Sequence, residues 1–141
     1  MKKLVFICHG NAFRSPVAEA LFNYNPKEGW MAYSCGTLVK EENIQGETML
    51  EISPSLEVVI KTMKNRGINV SMKHSDRLFP EFLEDADKVI VMSEEEYTPD
   101  WLSDREDERW EVPNPEILNE EIVENIINIL SKKIEELKNR M

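Results

Sequence analysis

Cys8 and Arg14 have the residue types and the spacing of a site that binds and attacks an oxyanion. Cys8 ends an apolar run, five residues separate it from Arg14, and Ser15 follows directly. The residues of the intervening loop are His9, Gly10, Asn11, Ala12 and Phe13. Successive backbone N–H groups in such a loop can converge on an anion, and the dipole of a following helix adds partial positive charge. The same field stabilises a thiolate, so the segment predicts an anion site with a nucleophilic sulfur at its base.

Each polar residue of this segment fits that chemistry. Arg14 supplies a permanently charged planar fork that can hold two phosphate oxygens. It also stands at the helix end that is unfavourable for a cation unless an anion compensates it. Gly10 allows a sharp turn and close approach, Asn11 suits left-handed backbone, and Ser15 either caps the helix or donates a hydrogen bond to the thiolate or the loop. A buried inert thiol and a surface arginine are the structural alternatives.

The neighbouring elements give weight to C-x5-R, which is a weak motif by itself. Leu4–Ile7 is a continuous apolar run, as expected of a strand buried on both faces of a parallel sheet. Ser15-Pro16 is typical of a helix start, with serine at the N-cap and proline at the first helical position. A nucleotide-type phosphate loop is excluded because the chain lacks the G-x-x-x-x-G-K-[ST] pattern.

Strands and helices alternate along the rest of the chain. The predicted strands are Leu4–Ile7, Met31–Cys35, Lys88–Met92 and Trp110–Val112, and the predicted helices start at Ser15-Pro16, Ser53-Pro54 and Asn114-Pro115. Ser93 is predicted to cap an acidic turn at Glu94–Glu96. The alternation predicts one α/β domain over residues 1–141, a doubly wound four-stranded parallel sheet with helices on both faces. Because such sheets bind ligands beyond the carboxyl ends of their strands, Cys8 is at the expected place.

Composition and charge narrow the class of function. A net charge of -10 argues against nucleic acid and anionic membranes as partners, since both require a basic surface. The apolar run Leu4–Cys8 is too short for a secretion signal, and no stretch approaches the length of a membrane span. Two cysteines, Cys8 and Cys35, do not form a disulfide framework. We therefore expect a cytoplasmic protein with reduced thiols.

The segment CHGNAFRSPVAEA resembles the active-site loop of the low-molecular-weight protein tyrosine phosphatases and the related arsenate reductases. Ser34-Cys35-Gly36-Thr37 is similar to the S-A-G-T segment after the second strand of that family. Gly67–Ser71 with His74-Ser75 resembles its G-I-D-V-S…H-x-[SA] segment. The segments that resemble its third strand and the end of its fourth are Lys88–Met92 and Trp110–Pro115. The resemblance follows the order of the family over most of the chain.

The resemblance implies the family's fold and a two-step phosphoryl transfer that needs no metal or cofactor. Cys8 would be the nucleophile that forms a phosphocysteine, and Arg14 with the loop amides would bind the phosphate and stabilise its transition state. Ser15 would assist the electrostatics of the thiolate and the leaving group. The residues implied to hold the loop by hydrogen bonds are Asn11, Ser34 and His74. The implied partners are a phosphorylated small molecule or a phosphoprotein, and oxyanions such as phosphate and arsenate.

The general-acid position departs from the family pattern. The family has an aspartate in a D-P motif before its last helix, where this chain has Asn114-Pro115. Asparagine cannot give or take a proton, and the loss of general acid–base help costs about 10²–10⁴-fold in rate. An asparagine before a proline is also a good N-cap. Glu116, with Glu120 or Glu121, is a candidate replacement for the missing acid.

The loop also lacks the second cysteine of many eukaryotic members, because Phe13 stands in its place. Cys35 is either a substitute disulfide partner for Cys8 or a small core residue. Three functions follow: a cysteine-dependent phosphatase for phosphomonoesters such as protein phosphotyrosine, an arsenate reductase that uses Cys8 with an external thiol, or an oxyanion- or phosphoprotein-binding module with little turnover. No cysteine follows Cys35 to relay a disulfide, which weakens the reductase interpretation.

Overall fold

Four parallel strands form one sheet in the computed structural model, which describes all 141 residues. The strands are β1 (Lys2–Cys8), β2 (Trp30–Gly36), β3 (Lys88–Val91) and β4 (Glu108–Arg109), and they lie in the order β2-β1-β3-β4. The chain passes from β1 to β2 on one side and then returns to form β3 on the other side of β1. The carboxyl end of β1 is therefore a topological switch point, where doubly wound sheets bind ligands.

Helices cover both faces of the sheet, which confirms the predicted fold class. The α-helices are α1 (Arg14–Tyr24), α2 (Met49–Ile52), α3 (Glu57–Asn65), α4 (Asp100–Ser103) and α5 (Glu120–Arg140), with 3-10 turns at Pro54–Leu56, Pro80–Leu83 and Glu95–Tyr97. α1, α3 and α5 pack on one face over the larger core cluster. Leu83 and Leu102 cover the other face from a 3-10 turn and from α4. No helix is both long and apolar enough to cross a membrane.

β1 is apolar over its buried length because both of its faces are covered. Leu4, Phe6 and Cys8 belong to the larger core cluster, whereas Val5 and Ile7 belong to the smaller cluster on the opposite face. Successive side chains of a strand point to opposite faces, so burial on both sides requires an uninterrupted apolar run. Cys8 ends this strand, and its side chain lies on the face that α1 covers.

The fourth strand begins two residues before the predicted strand Trp110–Val112, so the predicted bounds are wrong. The strand is Glu108–Arg109, and it pairs with the end of β3. The backbone N–H of Trp110 still donates to the Val91 carbonyl at 2.9 Å. The ladder then stops, because Trp110 and Val112 turn into the larger core cluster.

The predicted start of the last helix at Asn114-Pro115 is also wrong. α5 begins at Glu120, and Asn119 caps it by accepting a hydrogen bond from the Ile122 N–H at 2.9 Å. Asn114 and Pro115 consequently lie in the loop that precedes the helix. That loop carries Asn114 to the site described below.

α1 begins two residues before the predicted first helical residue, Pro16, so Ser15 is not its cap. The first helical residue is Arg14, and Phe13 occupies the N-cap position without a side-chain hydrogen bond. Ser15 lies within the first turn, and its hydroxyl is directed to Cys8. Pro16 costs the helix nothing there, because N–H groups of the first turn have no partner within the helix.

Candidate active site

The Cys8 sulfur lies at the base of the loop between β1 and α1 and has two hydrogen-bond contacts. Sγ is 3.0 Å from Ser15 Oγ and accepts a hydrogen bond from the Asn11 N–H at 3.3 Å. Only 2% of Cys8 is exposed, so protein dipoles must stabilise a charge on the sulfur in place of bulk water. Hydrogen bonds to the charged form of a group favour that form. Both contacts bring polar hydrogens to the sulfur, which is the nucleophilic atom of cysteine.

Asn11 sets the direction of the hydrogen bond from Ser15. The side-chain amide of Asn11 donates to Ser15 Oγ at 2.8 Å and to Ser34 Oγ at 3.0 Å. Because the Ser15 oxygen accepts from Asn11, its own hydrogen is available for Cys8 Sγ. Asn11 has the left-handed backbone that the sequence predicts, with φ at 49°. The result is a buried network that runs from Ser34 through Asn11 and Ser15 to the sulfur.

The segment that supports the loop from behind acts through Ser75 and Asp76, and not through His74. The Asp76 N–H donates to Asn11 Oδ1 at 2.7 Å, and Ser75 Oγ donates to the Asn11 carbonyl at 2.8 Å. His74 is exposed, and its Nδ1 lies 2.7 Å from the Gly46 carbonyl oxygen. The side chains of this extended segment alternate in direction, so Ser75 points inward and His74 outward. The expected contact between His74 and the loop is therefore wrong.

Lys73 occupies the histidine position of the family's H-x-[SA] pattern once Ser75 is taken as the small residue. The Lys73 ammonium lies 3.1 Å from Glu19 Oε1, on the first turns of α1. Burial raises the pKa of Glu19, and the charge of Lys73 opposes that shift. An ion pair thus stands behind the loop where the resemblance implied a histidine.

The glycine that the loop needs for close packing is Gly36, and not Gly10. A Cβ at Gly36 would lie 2.7 Å from the His9 carbonyl oxygen and 2.9 Å from the Asn11 nitrogen. A Cβ at Gly10 would meet only Glu42 Oε2, at 3.9 Å. Real Cβ atoms do not approach backbone atoms to 2.7 Å, so any side chain at the end of β2 would displace the loop.

The guanidinium of Arg14 is buried, and Glu94 balances its charge. Arg14 is 3% exposed, and Nη1 donates to Glu94 Oε1 at 2.8 Å and to the Met92 carbonyl at 2.9 Å. Burial alone would raise the pKa of Glu94, but hydrogen bonds from Arg14, the backbone and His9 hold it below its usual value. Glu94 is therefore an ionised carboxylate at neutral pH. Its oxygens occupy donors of the Arg14 guanidinium.

Sequence reasoning missed Glu94 as part of the site. The expected cap of the acidic turn, Ser93, instead pairs with Thr98 Oγ1 at 2.7 Å, and Glu94 itself occupies the N-cap of the 3-10 turn. Glu94 follows the carboxyl end of β3, which pairs with β1 in the sheet. Its position after a predicted strand is the signal that could have placed it beside Arg14.

The His9 side chain lies beside the same charges. Its Nδ1 is 2.8 Å from Glu94 Oε2 and 2.9 Å from Arg14 Nη2. The ring packs against Tyr97, with ring centroids 5.4 Å apart. The sequence predicts His9 only as a residue of the loop, whereas in the structure its imidazole contacts both Arg14 and Glu94.

A cavity of about 140 Å³ opens above the Cys8 sulfur. Its polar lining includes Cys8, His9, Arg14 and Asn114, and its apolar wall includes Leu56 and Leu118. Asn114 thus faces the sulfur's cavity, whereas Glu116, Glu120 and Glu121 are exposed and do not line it. Their positions do not support the suggested replacement of the missing acid.

Cys35 lies on the other face of the sheet from Cys8. Cys35 packs in the smaller core cluster and is fully buried, whereas Cys8 belongs to the larger cluster, and both thiols are free. Burial raises the pKa of the Cys35 thiol well above its ordinary value. The contacts of Cys35 are those of a small core residue.

The loop, its hydrogen-bond network and the order of the strands define a known class of enzyme fold. The chain belongs to the low molecular weight phosphotyrosine protein phosphatase family, whose model matches residues 3–141.

Particular relatives include arsenate reductases and phosphatases. An arsenate reductase of Bacillus licheniformis is 30% identical over 91 residues, a match that covers 64% of this chain and only 56% of that reductase. A low molecular weight protein tyrosine phosphatase from T. tengcongensis has a similar structure, with a TM-score of 0.78, 24% identity and full coverage of both chains. Wzb from Vibrio vulnificus, in complex with benzylphosphonate, has a TM-score of 0.82 at 15% identity and covers 99% of each chain. At these identities the two structures establish the shared fold.

Proposed function

We propose that this chain is a cysteine-dependent phosphatase that hydrolyses phosphomonoesters through a phosphocysteine intermediate. The observation that carries the proposal is the Cys8 sulfur, contacted by Ser15 Oγ at 3.0 Å and by the Asn11 N–H at 3.3 Å, at the base of a cavity that Arg14 borders. Membership of a phosphatase family supports the same class of enzyme.

The reaction consists of two displacements at phosphorus. In the first, the Cys8 thiolate forms an S–P bond while the P–O bond to the leaving group breaks and its electron pair stays on oxygen. In the second, water attacks phosphorus, the S–P bond breaks and the thiolate is regenerated. Arg14 and the loop N–H groups balance the charge on the phosphoryl oxygens in both transition states. The Ser15 hydroxyl stabilises the sulfur as it departs.

The apolar wall of the cavity favours an aromatic leaving group. A phenyl ring on the phosphate would bury apolar surface against Leu56 and Leu118. A phenolate also departs with less help from a proton donor than an alkoxide does, which matters because Asn114 cannot protonate the leaving oxygen. Protein phosphotyrosine, or a small aryl phosphate, is the substrate class that these two features support.

Arsenate reduction is the second candidate, favoured by the 30% identity to an arsenate reductase. Arsenate has the tetrahedral shape of phosphate, so the same thiolate could attack it. A second thiol must then resolve the adduct. Cys35 is fully buried on the opposite face of the sheet, so a reductase would depend on an external thiol.

Assays with two substrates on the same preparation separate these functions. A phosphatase releases p-nitrophenol from p-nitrophenyl phosphate, and acid quenching of the radiolabelled substrate traps phosphate on Cys8. A reductase forms arsenite from arsenate and a small thiol. Cys8→Ser is the control in both assays. Arsenite formation without hydrolysis would replace the phosphatase proposal, and vanadate binding with neither activity would make the protein a binding module.

A further inference from the structure

We propose that His9, positioned by Glu94, is the general acid–base of this site. Such a role presupposes the phosphatase activity proposed above. The usual position for the acid holds Asn114, which cannot transfer a proton, and the nearby carboxylates Glu116 and Glu120 lie outside the cavity. His9 is the titratable side chain that lines the cavity together with Cys8 and the permanently charged Arg14.

The imidazole belongs to a residue that lines the cavity in which the proposed leaving group would lie. His9 follows Cys8 directly, and its side chain is 20% exposed at the edge of the cavity that holds the sulfur. Packing against Tyr97 limits the ring's freedom to rotate. Imidazole both donates and accepts protons near neutral pH, as a group that serves two successive steps must.

Glu94 gives the ring a defined orientation. Both hydrogen-bond contacts of the imidazole use Nδ1, which lies 2.8 Å from Glu94 Oε2 and 2.9 Å from Arg14 Nη2. A carboxylate that accepts from Nδ1–H leaves Nε2 for the substrate, and it stabilises the imidazolium when Nε2 is also protonated. Glu94 remains ionised at neutral pH, as its hydrogen bonds require.

The charges around the ring determine when it acts. Glu94 and Tyr97 face it from the segment after β3, Arg14 faces it from α1, and Glu42 lies beside the neighbouring Gly10. If Nδ1 lacks its proton it accepts from Arg14, and if Nδ1 is protonated it donates to Glu94. A phosphate that draws the guanidinium toward its own oxygens therefore favours the arrangement in which Nδ1–H donates to Glu94. That arrangement is the one suited to proton transfer at Nε2.

Over one turnover His9 gives up one proton and takes one back. As the P–O bond breaks, Nε2–H of the His9 imidazolium transfers its proton to the leaving oxygen, and the neutral alcohol departs. Nε2 then takes a proton from the water molecule that attacks the phosphocysteine. The S–P bond breaks, phosphate and the Cys8 thiolate are released, and the imidazolium is restored.

The test compares His9→Asn with His74→Asn, since these are the two histidines of the chain and His74 has no contact with the loop. General acid help matters most for poor leaving groups. We therefore expect His9→Asn to lower kcat/KM for phenyl phosphate about 100-fold and for p-nitrophenyl phosphate less than about 5-fold. His74→Asn should lower neither. Alkylation of Cys8 by iodoacetate, with protection by vanadate, verifies that the loop is intact in each variant.

Two further readouts separate proton transfer from a structural role. Imidazole added to His9→Ala should restore hydrolysis of phenyl phosphate in a saturable manner. In Glu94→Gln, kcat/KM should fall more for phenyl phosphate than for p-nitrophenyl phosphate, because the imidazole loses the carboxylate that orients its Nε2. Equal losses for both esters in His9→Asn, or no loss, would overturn the role of His9 and leave the phosphatase proposal standing. Absence of hydrolysis and of trapped phosphocysteine in the wild type would defeat both.

Discussion

Replacement of Asn11 by alanine tests whether the buried network beneath Cys8 holds the loop in shape. Asn11→Ala removes three side-chain hydrogen bonds: two donated to serine hydroxyls and one accepted from the Asp76 N–H. At a net contribution of about 1 kcal/mol each, their loss costs about 3 kcal/mol. The left-handed backbone at φ 49° adds about 1 kcal/mol, since alanine tolerates that region less well than asparagine. The expected loss in the free energy of unfolding is thus about 4 kcal/mol.

The chain contains a matched control for the backbone contribution. Asn43 also has a left-handed backbone, with φ at 56°, but it is exposed and its side chain makes no hydrogen bond. Asn43→Ala should therefore cost only about 1 kcal/mol. The difference between the two variants, about 3 kcal/mol, measures the network alone.

Urea denaturation followed by tryptophan fluorescence gives both free energies, provided that the slope with urea is the same in each variant. In Asn11→Ala the rate at which Cys8 is alkylated should also change, because the Ser15 hydroxyl that contacts the sulfur is no longer oriented by the Asn11 amide. Equal losses of stability in the Asn11 and Asn43 variants would refute the reasoning. The loop would then owe its shape to backbone packing, and not to the amide of Asn11.

Three further predictions concern groups outside this network. Folded protein treated with iodoacetamide at neutral pH should be labelled at Cys8 and not at Cys35, whose pKa burial raises; labelling of both in native protein, seen by peptide mapping, would contradict this. Burial alone would raise the pKa of Glu108, but hydrogen bonds from two cations and an indole hold it at about 2. That value lies below the pKa of about 4.3 in the unfolded chain. The stability that Glu108 adds over Glu108→Gln should therefore be complete near pH 6 and lost as the pH falls toward 2. A difference in melting temperature between the wild type and Glu108→Gln that does not shrink with acid would oppose this. Asn114→Asp should raise kcat/KM for phenyl phosphate less than about 10-fold in the wild type but about 100-fold in His9→Asn, because only the second lacks a proton donor; equal gains in both would argue against His9.

The part of the site that lies close together in sequence could be predicted from the sequence. Cys8, the loop and Arg14 form one strand-to-helix connection, and the apolar run before it identifies the buried strand. Ser15 illustrates the limit of such local patterns. Ser-Pro is a common helix start, but this serine lies inside the first turn, where its oxygen contacts a buried amide donor and a sulfur.

The contacts that depend on strand order could not be predicted in this way. Glu94 is 80 residues from Arg14 in sequence, and only the pairing of β1 with β3 brings the two together. The prediction of where α5 begins was wrong for a different reason. Asn114 and Asn119 are both good N-caps by residue type, and the local pattern does not choose between them. The choice of Asn119 leaves Asn114 in a loop, free to line the cavity.

The two sides of Cys8 use different kinds of interaction, and this division has a chemical consequence. Beneath the sulfur, the network of Asn11 and Ser15 is uncharged, so it contacts the sulfur without a counter-ion that would have to be displaced when the sulfur attacks. Beside the cavity, the charge of Arg14 is balanced by Glu94, because a buried guanidinium without a partner would be costly. If the chain hydrolyses phosphomonoesters as proposed, the phosphate competes with this carboxylate for the guanidinium, and a dianion competes better than a monoanion. Under that proposal, the ion pair keeps the cation in place and favours doubly charged tetrahedral anions over singly charged ones.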